Sequence, residues 1–279
     1  MSSTEGTKLT LLVDNRAKQG LTVEHGLSIW IETAGRNLLF DTGQGAALQG
    51  NARSLGVDLT ATDTLILSHG HYDHTGGVPQ IVDGNPGVQV FVHPSATGPR
   101  YSIRDGAAKS IAMPEPAKSS LSALPPGSVH WVTEPVELIE GVGITGPIPR
   151  LEPEEDVGGP FFIDVRGSKP DPIEDDLALW ISTNDGLVVV MGCGHAGLIN
   201  TLQYAKRVSG VSKIHTVLGG FHLVEASESR LERTIEALES LQVDRIVPCH
   251  CTGGMATQIL KERLGDQVAP GQAGETYRF

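Results

Sequence analysis

The stretch Thr64-Leu-Ile-Leu-Ser-His-Gly-His-Tyr-Asp-His-Thr-Gly-Gly77 constrains this chain more than any other. An apolar run predicts a strand over residues 64–67. It stops at Ser68 and hands over to a loop that carries His69, His71, Asp73 and His74 within six positions. Imidazole nitrogen and carboxylate oxygen are good ligands for borderline divalent ions. Two histidines two apart in extended backbone point the same way, and Asp73 and His74 arrive after a turn to address a second point nearby. Gly70, Gly76 and Gly77 permit the tight backbone this requires. A fold that serves this loop must end a strand beneath it and bring further ligands from elsewhere.

The rest of the pattern is compatible with such a scaffold. Short apolar runs predict strands at 9–13, 27–32 and 37–40, with Ala34-Gly35-Arg36 as a hairpin turn, and again at 88–93. A short helix fits 45–55. Residues 97–127 are rich in Ser, Ala, Pro and Gly and read as irregular; strands resume at 129–133 and 136–139. Residues 141–176 hold many Gly and Pro residues and the acidic cluster Glu152, Glu154, Glu155 and Asp156, which predicts a mobile loop insertion that could cover a site. The last third alternates strands (177–182, 187–191, 214–218, 244–247) with helices (197–208, 227–241, 257–264). Asn184-Asp185-Gly186 marks a hairpin, and Leu231, Ile235, Leu238 and Leu241 line one helical face. The expectation is one domain over residues 1–279, an α/β protein with two sheets and helices outside.

Composition excludes some functions. The net charge of −12 repels phosphate backbones and argues against nucleic acid as a partner. A bound cation would still reverse the local field for a small anionic substrate. No run is long and apolar enough to span a membrane, and the polar N-terminus lacks the layout of a secretory signal, so a cytoplasmic location is expected. Three cysteines confined to the last third are no disulfide framework. The oligomeric state is left open.

His69-x-His71-x-Asp73-His74 resembles the signature of the metallo-β-lactamase superfamily. Phe40-Asp41-Thr42-Gly43 is similar to the family's strand-end Asp-Thr-Gly. Glu24-His25-Gly26-Leu27-Ser28, Gly192-Cys193-Gly194-His195-Ala196-Gly197 and Gly219-Gly220-Phe221-His222-Leu223 resemble one subgroup, the dihydropterin–aminobenzene-ribofuranosyl-phosphate synthase-like proteins. The resemblance implies an αββα sandwich of two mixed β-sheets flanked by helices. It also implies two divalent metal ions, zinc first, with manganese or iron as alternatives. The implied metal ligands are His69, His71, Asp73, His74, His195 and His250, with Asp73 also catalytic. Cys193 stands where a bridging carboxylate is customary; Cys193, His222, Asp41 and Asp176 are candidates for ligands or for groups that hold ligands. His25, His93 and Arg150 are candidates for substrate contact, with Arg100 and Arg104 as further partners for an anionic tail. The implied activity is hydrolysis of a small phosphorylated, ester or lactone substrate by a metal-activated hydroxide. One alternative is a synthase that joins a dihydropterin methyl diphosphate to an aminobenzene ribofuranosyl 5'-phosphate. Others are a mononuclear iron dioxygenase and a non-catalytic sensor, the latter disfavoured by the intact ligand set.

Overall fold

The computed structural model describes residues 6–279; the first five residues of the polar N-terminus lie outside the described residues. The chain begins with β1 (Lys8–Val13), β2 (Ser28–Thr33) and β3 (Arg36–Phe40). Between β2 and β3, Ala34 and Gly35 both take positive φ (48° and 72°), as the favoured two-residue hairpin turn demands. There follow α1 (Leu48–Ser54), β4 (Thr64–Ile66), α2 (Tyr72–Thr75), α3 (Val78–Val82) and β5 (Gln89–Val92). Residues 97–127 are not irregular, as composition suggested. They form the hairpin β6 (Tyr101–Arg104) and β7 (Ala107–Ser110), then α4 (Glu115–Ala123). The hairpin was hidden because β7, Ala-Ala-Lys-Ser, is exposed along its whole length and has no apolar alternation.

Next come β8 (Val129–Trp131), β9 (Val136–Ile139), β10 (Val142–Ile144), β11 (Phe161–Phe162), β12 (Ala178–Thr183) and β13 (Gly186–Met191). The chain closes with α5 (Leu198–Ser209), β14 (Ile214–Gly220), α6 (Glu228–Ser240), β15 (Arg245–Cys249), α7 (Gly254–Leu264) and β16 (Thr276–Arg278).

One sheet has the order β16-β1-β2-β3-β4-β5-β8 and the other β15-β14-β13-β12-β10-β9. Both are mixed. β3, β4, β5 and β8 run parallel, as do β13, β14 and β15, while the remaining pairs are antiparallel. A small third sheet, β11-β6-β7, stands apart.

The two large sheets pack face to face. Leu9, Leu11, Ile29 and Phe40 of one meet Ile144, Leu179, Val188 and Val190 of the other in a central core. The alternate residues point outward. Leu12, Trp30 and Leu39 pack with Leu48, Ile81 and Leu121 of the flanking helices, and Val189 and Met191 pack with Leu198, Leu202 and Leu238. Both faces of β13 are therefore covered, which is why Leu-Val-Val-Val-Met shows no polar alternation. This is the αββα sandwich. Among the described residues, no helix is long and apolar enough to cross a membrane.

The arrangement fixes where chemistry can sit. Asp41 follows β3, Ser68 and His69 follow β4, Gly192 follows β13, Phe221 and His222 follow β14, and His250 follows β15. All are carboxyl ends of parallel strands, the edge where open α/β sheets gather ligands.

Candidate metal centre

His69, His71 and His195 bring donor atoms within 4.8 Å of one another, and all three rings are buried. His69 Nε2 and His71 Nδ1 lie 2.9 Å apart. For His69 and His195 the tautomer follows from the outer partner. Ser68 Oγ donates to Asp41 Oδ2 at 2.7 Å, so it must accept from His69 Nδ1 at 2.9 Å, leaving the Nε2 lone pair directed inward. His195 Nδ1 donates to the Val157 carbonyl at 2.8 Å, and its Nε2 is buried with no hydrogen-bond partner. Burial pushes all three rings well below the usual histidine pKa, reinforced by neighbouring imidazoles at His69 and His195 and, before any imidazole, by Arg100 at His71. Three neutral rings offering lone pairs to one point make a set with a position left for a ligand.

A second set adjoins it. His74 Nδ1 donates to Asp41 Oδ2 at 2.7 Å, and its Nε2 faces His250 Nε2 and Cys193 Sγ, each at 3.2 Å. His250 Nε2 lies 3.3 Å from Asp73 Oδ2, while its Nδ1 donates to Asn15 Oδ1 at 2.8 Å. Burial alone would lower the His74 pKa, but Asp41 and then Asp73 outweigh it and lift the ring to about 9. Asp73 is held well below the usual carboxylate range. Burial opposes this, and hydrogen bonds from His25 and His250 prevail. Inward-facing nitrogens around a buried carboxylate call for a cation, and a proton on His74 is the smallest that answers. The donors of both sets fit divalent ions of the zinc type.

Asp41 serves both sets at once. Its Oδ2 accepts from His74 and from the Ser68 hydroxyl that orients His69, and its Oδ1 accepts from Ser68 N at 2.7 Å. It does so from a left-handed conformation (φ 58°), and His222 and His250 are similarly strained (44° and 45°). Such strain persists only where the surroundings over-determine it, commonly at functional sites. The glycine of the metal loop is required for closeness: a Cβ on Gly70 would lie 2.0 Å from the Ala96 carbonyl oxygen. Asp175 fastens this loop from outside, accepting from Gly70 N at 2.8 Å and from Arg100 Nη2 at 2.6 Å.

A cavity of about 580 Å³ opens above the two sets. His71, Asp73, Cys193 and His250 reach its floor; Arg104 and Lys109 of the β6–β7 hairpin and Phe161 form its wall. His25 lines the cavity, with Nε2 3.1 Å from Asp73 Oδ2; the Asp73 hydrogen bond raises its pKa against partial burial.

Other expected residues lie elsewhere. Arg150, expected at the substrate, does not line the cavity; its guanidinium donates to the carbonyls of His195, Pro172 and Ile173 and ties the backbone together. His93 is likewise off the cavity, its Nδ1 accepting from Ser95 N at 3.2 Å. Arg100 is buried between Asp171 and Asp175. Asp176 accepts from Ala196 N at 2.7 Å, beside His195, and burial pushes its carboxyl up to about 7.

Residues 141–176, expected as a mobile loop, contribute β10 to a large sheet and β11 to the small one. Glu155 accepts from the backbone of Ile199 and Asn200 at the start of α5, and Asp156 pairs with Arg230 at 2.6 Å. This segment supplies the carbonyl that orients His195, as well as Phe161 on the wall. Sequence reasoning passed over Ser68, Asn15, Cys251 and Asp14, whose Oδ1 accepts from His250 N at 2.7 Å. A signal existed for two of them, since Asp14-Asn15 directly follows an apolar strand, where polar residues at a sheet edge face the site.

With this geometry in place, the sequence profile described as the Metallo-beta-lactamase superfamily matches residues 21–250. The chain belongs to that superfamily, whose members are usually metal-dependent hydrolases. It is 31% identical over 277 residues to a 7,8-dihydropterin-6-methyl-4-(β-D-ribofuranosyl)-aminobenzene-5'-phosphate synthase of Methanocaldococcus jannaschii, covering 92% of this chain and 90% of that protein. An uncharacterized protein of the same archaeon is 32% identical over 261 residues, covering 91% and 94%. Among solved structures, Tm1679, described as a metal-dependent hydrolase of the β-lactamase superfamily, superposes with a TM-score of 0.85 at 29% identity, covering 98% of this chain and 99% of that one. YhfI of Bacillus subtilis shares the fold alone, at 11% identity and a TM-score of 0.61, covering 99% and 100%.

Proposed function

We propose that this chain is a two-metal hydrolase of a small anionic substrate, with a phosphate ester the best fit. The observation that carries this reading is the convergence of two donor sets, with His69, His195, His74 and His250 each held by an outer partner, beneath one cavity whose wall holds Lys109. His69, His71 and His195 would hold one ion, and Asp73, His74 and His250 the other. Bound there, divalent ions supply Lewis acidity and make a nucleophile available from water near neutral pH.

The chain's own groups divide the remaining work. Lys109 meets the anionic part of the substrate at the cavity mouth, beside Arg104, whose guanidinium is paired with Glu225 at 2.7 and 3.0 Å. Lys109 Nζ lies 5.4 Å from the centre of the Tyr72 ring, which positions the ammonium. Phe161 and Ile111 line the same wall and exclude water from the bond to be broken. Asp73 stays ionised and orients the attacking group by accepting its hydrogen bond. The half-exposed His25 has the raised pKa and the access needed to hand a proton to the leaving group.

A second reading has its own support. The synthase relative matches along 92% of this chain, and the same two donor sets would hold cations for such a reaction as well. Incubation in heavy-oxygen water separates the two. Hydrolysis of phosphodiesters, phosphomonoesters, lactones or esters places the label in product. The synthase reaction, assayed with a dihydropterin methyl diphosphate and an aminobenzene ribotide, yields a joined product without label. Turnover that consumes oxygen with one iron per chain would overturn both in favour of a dioxygenase. The location of such a small-molecule enzyme is proposed to be the cytoplasm.

A further inference from the structure

The cavity floor carries more sulfur than a cradle of histidine and carboxylate requires. Cys193 Sγ lies 3.2 Å from His74 Nε2, and Cys251 Sγ lies 3.5 Å from the Cys193 carbonyl. Donor atoms of Cys193, His250 and Cys251 fall within 4.8 Å of one another, and so do those of Cys193, His195 and His222. Cys193 thus joins the cradle to two residues the proposed chemistry leaves unused, Cys251 and His222. Both line the cavity.

The surroundings are shaped to bring these groups inward. A Cβ on Gly220 would lie 2.5 Å from Cys251 Sγ, so only glycine allows the thiol its place. A Cβ on Gly158 would lie 2.0 Å from His222 Cδ2, so the ring is pressed against the backbone of 141–176. His222 itself is held at φ 44°, and its buried Nδ1 has no hydrogen-bond partner. A strained residue with an unsatisfied nitrogen beside two thiols is expensive unless something binds there.

We propose that Cys251 is a metal ligand that acts with Cys193, flanked by His222 and His250, and makes the second position of the centre a sulfur-containing site. Thiolates are soft donors, so this position selects zinc or cobalt(II) over manganese or magnesium. Each thiol that binds gives up one proton to solvent. The assignment rests on the two-metal reading above.

The test uses the full chain loaded with zinc or cobalt(II). Zinc-edge X-ray absorption on the unmodified protein is expected to show sulfur scatterers at about 2.3 Å. The cobalt form is expected to show a near-ultraviolet thiolate-to-cobalt charge-transfer band. Cys251→Ser is expected to reduce that band by about half, as one of two sulfur ligands is lost, and to speed zinc loss to a chelator about tenfold. Two bound ions with no sulfur scattering would overturn the proposal and leave the metal centre standing. A band removed wholly by Cys193→Ser and untouched by Cys251→Ser would overturn the assignment of Cys251. Failure of the unmodified protein to hold even half an ion, with any metal supplied, would overturn the two-metal reading and this proposal with it.

Discussion

His69, His71 and His195 are buried neutral imidazoles, two of them held by neutral partners, the Ser68 hydroxyl and the Val157 carbonyl. His74 and His250 sit among carboxylates, with Asp41 behind one ring and Asp73 beside the other. The first set offers lone pairs with no proton to displace. The second keeps a proton on His74 up to about pH 9, so an ion must compete for the place. Neutral ligands leave a bound cation its full charge, which suits it to polarise a substrate. A carboxylate ligand would take part of that charge away, which would suit an ion in the second set to hold and orient.

This contrast can be broken at several points. His69→Ala should empty the first set and cost several kcal/mol of transition-state stabilisation, about 10³-fold in kcat. Metal analysis should then show one ion retained; loss of both would mean the sets are not separable. Asp41→Ala strikes the partner that the sets share and should weaken both ions by about 10–100-fold, read by chelator competition. Asn15→Ala should weaken only the second, toward the lower end of that range, because Asn15 touches His250 alone among the ligands.

The pH dependence sharpens the same point. His74 must lose its proton to bind, so below about pH 9 each rise of one unit should strengthen the second ion by at least about tenfold, and more steeply where the thiols of Cys193 and Cys251 also give up protons. The first ion should show little dependence near neutrality, since its rings are already neutral. Calorimetric titration across pH checks both slopes, and equal slopes would erase the distinction. The smallest effect is expected at the wall. Lys109→Ala should raise KM for a phosphorylated substrate by about 2–5-fold with kcat nearly unchanged, the size of one exposed charge contact.

The sandwich and the histidine-rich first loop were legible because each rests on local pattern. Short apolar runs mark β1 and β2, and three histidines with an aspartate in six residues define the loop. The small sheet was not legible. Its strands are short, β7 is exposed along its whole length and β6 and β11 are only half-buried, so none carries the apolar alternation that marks a core strand. Arg150 and His93 misled because a charged or polar residue near an expected pocket looks the same whether it faces a substrate or its own backbone. The actual partners, three carbonyls and one amide, are set by folding and leave no mark in residue type. Nothing in the sequence singles out Cys251, because its nearness to Cys193 spans 58 residues of chain.

His195 takes its orientation from the carbonyl of Val157, a group that every amino acid possesses. No side-chain replacement at position 157 deletes that partner. The site is therefore tolerant of spelling and intolerant of length. Among relatives, position 157 should drift freely in identity while the number of residues joining Glu155, which is tied to α5, to Gly158, which is pressed on His222, stays fixed. Inserting a single residue between them would reach the metal centre more surely than most substitutions of the residue itself.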